Sequence, residues 1–213
     1  CAAHGDAVRW LTDHKGLPFM DAVKELAGMA GLAMPAPDPK AKLRQARSQS
    51  LGEVLAAATK FYQQQLASDK GQEARAYLEK RGLNSNTIKD FALGFAPDSR
   101  QATKSALAQF DQELLIEAGV LIKVEDKQPY DRFRGRLIYP IRDNRARVIG
   151  FGGRLLGAGE PKYLNSPDTP LFDKSHSLYN IDRALAATKA SKKLVVVEGY
   201  MDVIALAAAG IAD

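Results

Sequence analysis

Cysteine is nearly missing from this 213-residue chain, which has one, Cys1, at its first position. A lone thiol forms no internal disulfide and cannot by itself hold a structural metal. A disulfide scaffold is therefore excluded, and a reducing compartment, the cytoplasm, is the expected setting. Long apolar runs are also missing. The most apolar stretch, 194–212, is interrupted by Glu198, Gly199 and Asp202, and its clean part covers only 203–212. A membrane span needs about 20 such residues. No basic segment followed by an apolar one opens the chain, so no signal peptide is read. The chain does not begin with Met, which suggests a piece of a longer protein. The histidines, His4, His14 and His176, are scattered, and no nucleophile pairs with them in sequence. There is no glycine period, internal repeat or low-complexity tract, which excludes collagen and solenoids.

A 46% hydrophobic and 26% charged composition belongs to a globular chain of one or two domains. The formal charge is +5 and unevenly placed. The window 129–163 holds 8 Lys+Arg against 3 Asp+Glu, the equivalent of the whole surplus. Such a patch points to a polyanionic partner, nucleic acid or nucleotide phosphates, with a solvated basic face as the alternative.

Apolar periodicity predicts two short helices over 6–32, with Asp6 as N-cap and a break at Gly16-Leu17-Pro18. Trp10, Met20, Met29 and Met34 are read as core residues. Alternate prolines at 35, 37 and 39 read as a semi-rigid linker. The domain reading is a first unit to residue 34, a linker over 35–49, a main unit over 50–190 and a further unit from 191. Helices are expected over 50–67, 71–81, 84–91, 101–109, 111–118 and 181–190. The stretch 135–151 reads as a hairpin turning at Asp143-Asn144-Arg145-Ala146, with Pro140 at an edge or beside a bulge. Leu194-Val195-Val196-Val197 reads as a buried strand feeding a helix, the opening of an α/β unit. The fold class is thus α+β: a mostly helical N-terminal part, a subdomain containing a β-hairpin, and a first β-α unit.

Glu198 stands just past the C-terminal end of that expected strand, where open α/β sheets bind ligands, and Asp202 follows four positions on. Two carboxylates there suit Mg²⁺, although Asp202 also suits a helix N-terminus. If residues 132–136 are extended, Arg132, Arg134 and Arg136 share one face and Phe133 points to the core. Three guanidiniums on one face favour a phosphate ligand. Arg142, Arg145, Arg147 and Arg154 extend the patch along the hairpin. The proline-bounded loop 161–174 adds Lys162, Asn165 and Lys174, with Tyr163 able to stack on a base. The alternative for this loop is ordinary packing by Tyr163, Leu164 and Phe172.

In this order the pieces resemble the bacterial DNA primase family. The match rests on Tyr130-Asp131-Arg132-Phe133-Arg134-Gly135-Arg136-Leu137-Ile138-Tyr139-Pro140-Ile141-Arg142, on Arg147-Val148-Ile149-Gly150-Phe151-Gly152-Gly153-Arg154 and on Pro161-Lys162-Tyr163-Leu164-Asn165-Ser166-Pro167. Glu198-Gly199-Tyr200-Met201-Asp202 resembles the opening motif of the Toprim fold. Cys1-Ala2-Ala3-His4-Gly5 is similar to the last ligand segment of the family's zinc-binding domain, with Ala2 where Gly is usual.

The resemblance implies DNA-templated synthesis of RNA primers by nucleotidyl transfer. Glu198 is then the first catalytic acid, as Mg²⁺ or Mn²⁺ ligand or as general base, with Asp202 beside it. Arg154, Lys162, Asn165, Lys174 and Arg81 match basic-groove and nucleotide positions. Cys1 would ligate Zn²⁺ in a longer protein. Implied partners are single-stranded DNA, ribonucleoside triphosphates, a replicative helicase and a single-stranded DNA-binding protein, with no membrane. Residues 1–34 would end the zinc domain, 50–190 would form the N-terminal polymerase subdomain, and 191–213 would begin a truncated Toprim domain. The family's later Asp-x-Asp pairs are not in this chain, so residues 1–213 alone are expected to be inactive. The competing functions are a non-catalytic single-stranded DNA binder and another Toprim enzyme, a topoisomerase or nuclease.

Overall fold

In the computed structural model, which describes residues 5–34 and 40–211, local capping chemistry sets the first helices. Asp6 accepts a hydrogen bond from the Arg9 amide at 2.8 Å and starts α1 (Ala7–Lys15). Gly16, left-handed at φ 64°, ends it. After Pro18 runs α2 (Phe19–Met29), with Asp21 in its first turn. These helices belong to the first of two compact units, Cys1–Arg44 and Gln45–Asp213. Two helices of this length bury little, Leu11 and Ala22 among the described residues. Trp10, Met20, Met29 and Met34, expected in a core, are exposed, Met29 by 77%.

The next helix, α3 (Ala41–Ala67), begins well before the apolar stripe that starts at Leu51. Most of the expected linker 35–49 is therefore helical, its proline part lying outside the described residues. The physical reason is composition: Lys42, Leu43, Arg44, Gln45, Ala46 and Arg47 are all good helix formers. Arg47 also reaches Glu117, its Nε donating at 2.8 Å.

Beyond α3 come α4 (Gln72–Lys80) and α5 (Ser85–Asp90), the latter capped by Asn84. Strand β1 (Gly94–Ala96) follows, then α6 (Ala102–Ala106), α7 (Gln112–Glu117), β2 (Leu121–Ile122) and β3 (Tyr130–Asp131). The expected hairpin is present as β4 (Arg136–Arg142) and β5 (Val148–Leu155). Part of the 161–174 loop forms β6 (Tyr163–Asn165), and α8 (Ile181–Ser191) and α9 (Tyr200–Ala208) complete the chain. The main sheet is antiparallel in the order β1-β4-β5-β6, and β2 pairs with β3 separately. Pro140 sits where pairing with β1 has ended, beside an irregularity at Ile141/Arg142, so its missing amide costs no ladder bond to β1.

Strand alternation divides the core between the two sheet faces. Ala96, Ile138 and Phe151 pack with Leu51, Val54, Leu55, Ala58 and Tyr62 of α3 and with Leu114 and Leu115 of α7. Phe95, Leu137 and Tyr139 pack with Leu78 of α4, Phe91 after α5 and Ile204 of α9. Gly94 lets β1 cross α3 closely, since a Cβ there would lie 2.5 Å from that of Tyr62.

Asp131, in the Tyr-Asp-Arg-Phe-Arg segment, is buried and caps α6 from a distance. Its carboxylate accepts from the Thr103 amide at 2.6 Å and the Lys104 amide at 3.0 Å. Burial raises its pKa, more than these bonds and the Arg134 charge lower it. Asp131→Ala leaves both amides unpaired, and we expect it to destabilise the fold by about 2 kcal/mol. Urea denaturation checks this; an unchanged midpoint would remove Asp131 from the list of structural anchors.

One expected strand does not form. Leu194–Val197 lies outside any helix or sheet, and Val196 is 76% exposed. A central strand needs neighbours to take its amides and carbonyls, and the described residues place no strand beside it. Among the described residues no helix is long and apolar enough to cross a membrane.

Candidate nucleotide and nucleic-acid site

Pairing of β4 with β5 and of β5 with β6 sets which candidate residues share a face. Leu137 pairs with Arg154 and Arg154 with Tyr163; Tyr139 pairs with Gly152 and Gly152 with Asn165. Paired residues project to the same side of a sheet. Arg154, Tyr163 and Asn165 thus stand on the face where Tyr139 and α9 pack.

On this face the Arg154 guanidinium lies between two rings, 5.0 Å from the Tyr77 centroid and 5.3 Å from that of Tyr163. It also donates to the Tyr163 hydroxyl. Arg81 reaches the same Tyr77 ring at 5.4 Å. Aromatic contact holds guanidiniums without neutralising them. No carboxylate among the described residues pairs with Arg154 or Arg81, so both charges remain for an anion. Tyr163 is 44% exposed beside them.

Asn165, Lys174 and Glu198 line one cavity of about 290 Å³ with Tyr200 and a largely apolar wall that includes Phe172, Leu178 and Leu194–Val197. Lys174 is held by its backbone amide, which donates to Asp168 at 3.0 Å, while its side chain is exposed. Glu198 is exposed at the turn before α9. Asp202 is exposed in the first turn of α9 and folds back over Gly199, where a Cβ would lie 2.7 Å from its Oδ2. Among the described residues no group of three or more His, Cys, Asp and Glu is poised to hold a metal. Cys1 lies outside the described residues.

The arginines of the 132–136 segment behave differently from one another. Phe133 is buried as expected. Arg136 is buried too, and its guanidinium donates to the carbonyls of Pro161 at 2.8 Å and of Gly153 and Lys162 at 3.3 Å. Arg132 donates twice to the carbonyl of Asn165, at 3.1 and 2.9 Å. Burial lowers the pKa of both, helped at Arg136 by the Arg134 charge. The segment is not extended over 132–135, so the three guanidiniums do not share one face as a row: two of them pin β6 and its approach to the hairpin. Arg134 keeps its charge for a ligand, its guanidinium 5.3 Å from the Tyr130 ring. It lines a second groove of about 570 Å³ with Tyr130 and the 157–161 loop. Lys162, just before β6, is exposed. Further along the hairpin, Arg142 lies 3.9 Å from Asp182 and Arg147 pairs with Asp143, so neither extends a free patch.

Two residues escaped sequence reasoning. Tyr77 has a readable signal, one helical turn ahead of Arg81. Tyr200 lies inside a recognised motif, but nothing local shows that its hydroxyl reaches Asn165.

A family model described as the DNA primase catalytic core, N-terminal domain, matches residues 61–185. The chain is 44% identical to the DNA primase of Salmonella typhimurium (strain LT2), over 97% of this chain and 36% of that protein. It thus spans about a third of the length of such curated relatives. Among solved structures it is similar to the DnaG primase catalytic domain bound to ssDNA: 45% identity, TM-score 0.73, 79% of this chain and 55% of that one. The zinc binding and RNA polymerase domains of the Aquifex aeolicus primase align with a TM-score of 0.72 at 30% identity, over 98% of this chain and 50% of that one.

Proposed function

The chain belongs to the DNA primase catalytic-core family, and from that premise we propose that it carries the template and nucleotide side of an enzyme that makes RNA primers on single-stranded DNA. The observation that carries this reading is the cavity shared by Asn165, Lys174 and Glu198. An amide, an ammonium and a carboxylate around one space suit a nucleoside triphosphate: Lys174 meets phosphate charge, and Asn165 offers a directional hydrogen bond. Arg81, Arg154, Lys162 and Arg134 offset phosphate charge on template and nucleotide, and Tyr163 offers a face to a base. In the reaction, a ribonucleotide 3′-hydroxyl attacks the α-phosphate of the next nucleotide and pyrophosphate leaves. Glu198 accepts the hydroxyl proton or holds a cation.

Two carboxylates, Glu198 and Asp202, match the sparse protein ligation typical of Mg²⁺, which takes its other oxygens from water and phosphates. When bound, such an ion supplies charge to the attacking and leaving oxygens. Zn²⁺ held by Cys1 and residues outside this chain belongs to the same reading. So do the 1–34, 50–190 and 191–213 divisions, a cytoplasmic setting, and a helicase and a single-stranded DNA-binding protein as partners.

The test is de novo primer synthesis by the complete gene product on single-stranded template with ribonucleotides. Labelled primers of a few nucleotides are expected; binding without synthesis would favour a plain DNA-binding module. Five cations are proposed to meet phosphate, Arg81, Arg134, Arg154, Lys162 and Lys174. If all five meet phosphates, log Kobs against log salt should fall with a slope of roughly −3.5. Arg134→Ala should flatten that slope by about 0.7.

A further inference from the structure

We propose that Tyr200 is a positioning residue that fixes the amide of Asn165 as a hydrogen-bond donor into the nucleotide cavity. This rests on the nucleotide reading of that cavity.

An asparagine amide presents an acceptor on one side and two donor hydrogens on the other, and a half-turn exchanges them. A site that must recognise phosphate oxygens needs the donor side forward. The Tyr200 hydroxyl donates to Asn165 Oδ1 at 2.8 Å. That bond occupies the acceptor, and Nδ2 has no protein partner among the described residues.

The tyrosine is itself held from three sides. Its ring stacks on Tyr139 with centroids 5.0 Å apart and planes 10° apart. It meets Tyr179 edge-on at 4.8 Å. Beneath it lies Gly152, where a Cβ would fall 2.6 Å from the ring. Gly152 is also the β5 partner of Asn165. Strand pairing and the tyrosine hydroxyl thus hold Asn165 from two directions. Tyr200 opens α9 two residues after Glu198, so the same ring that orients the amide also seats the turn carrying the carboxylate. The arrangement links the anion-binding side of the cavity to its acidic side through one side chain.

The experiment measures binding of a fluorescent ribonucleoside triphosphate, with magnesium, to the complete gene product and to Tyr200→Phe, Asn165→Ala and the double variant. Phenylalanine keeps the ring stack and removes only the hydroxyl, and thermal midpoints verify folding. Tyr200→Phe is expected to weaken nucleotide binding about fivefold, the scale of one neutral hydrogen bond. It should raise the nucleotide KM more than it lowers kcat in primer synthesis. In the Asn165→Ala background it should have no further effect, because a residue acting through another has nothing left to position. Equal losses in both backgrounds would overturn the proposal, since Tyr200 would then act independently of Asn165. No effect of Tyr200→Phe while Asn165→Ala weakens binding would overturn it and leave the nucleotide site standing. No effect of Asn165→Ala would remove Asn165 from the nucleotide site and the proposal with it.

Discussion

Glu198→Gln is expected to reduce primer synthesis by the complete gene product by about 100-fold or more in kcat, the scale seen when a preorganised electrostatic group is removed. The substitution keeps shape and hydrogen-bonding capacity but removes the charge. An amide does not take up the 3′-hydroxyl proton, and its neutral oxygen binds a divalent cation more weakly than a carboxylate does. Glu198 is exposed, and among the described residues it makes no ion pair. Its loss therefore has no structural route to an effect, and the thermal midpoint should stay where it is. Single-stranded DNA binding should also hold within about twofold, since the cations proposed to meet phosphate lie elsewhere. The check is a primer-synthesis time course beside a binding titration. Undiminished synthesis would remove Glu198 from the reaction.

The second large effect is expected at Gly152. A methyl group there would press on the Tyr200 ring at 2.6 Å, well inside van der Waals contact. The ring packs against Tyr139 and Tyr179, so its way out is toward the cavity that it lines. Gly152→Ala should expel Tyr200, loosen α9 and open the buried Tyr139 and Ile204 to water. Overpacking of this kind costs about 1–3 kcal/mol. Hydrogen exchange should show faster exchange in α9 than in β4, and near-ultraviolet dichroism should lose tyrosine signal. Primer synthesis should fall as well, because Asn165 and the turn bearing Glu198 both lean on that ring. Native exchange in α9 would mean that the helix is not seated through Tyr200.

Local chemistry made much of the fold legible. Asp6, Gly16 and Asn84 mark helix ends because caps act over three or four residues. The hairpin follows from alternation around Asp143–Ala146. Helix α3 shows the limit of periodicity, which finds the buried stripe from Leu51 but not the exposed turns before it. The long Arg- and Tyr-bearing motifs identified the family, and charge segmentation located the basic region.

What sequence by itself determined is therefore the α+β class, most element positions and the family. The tertiary structure alone decided which charges are available. Arg132 and Arg136 bind carbonyls 33 and 25 residues away, and Arg134 between them does not. It also decided that Tyr200 reaches Asn165. The reason is the same in each case. A hydrogen bond or a strand pairing depends on what another segment presents at that point, and register across a sheet is a property of two strands, not of either sequence alone.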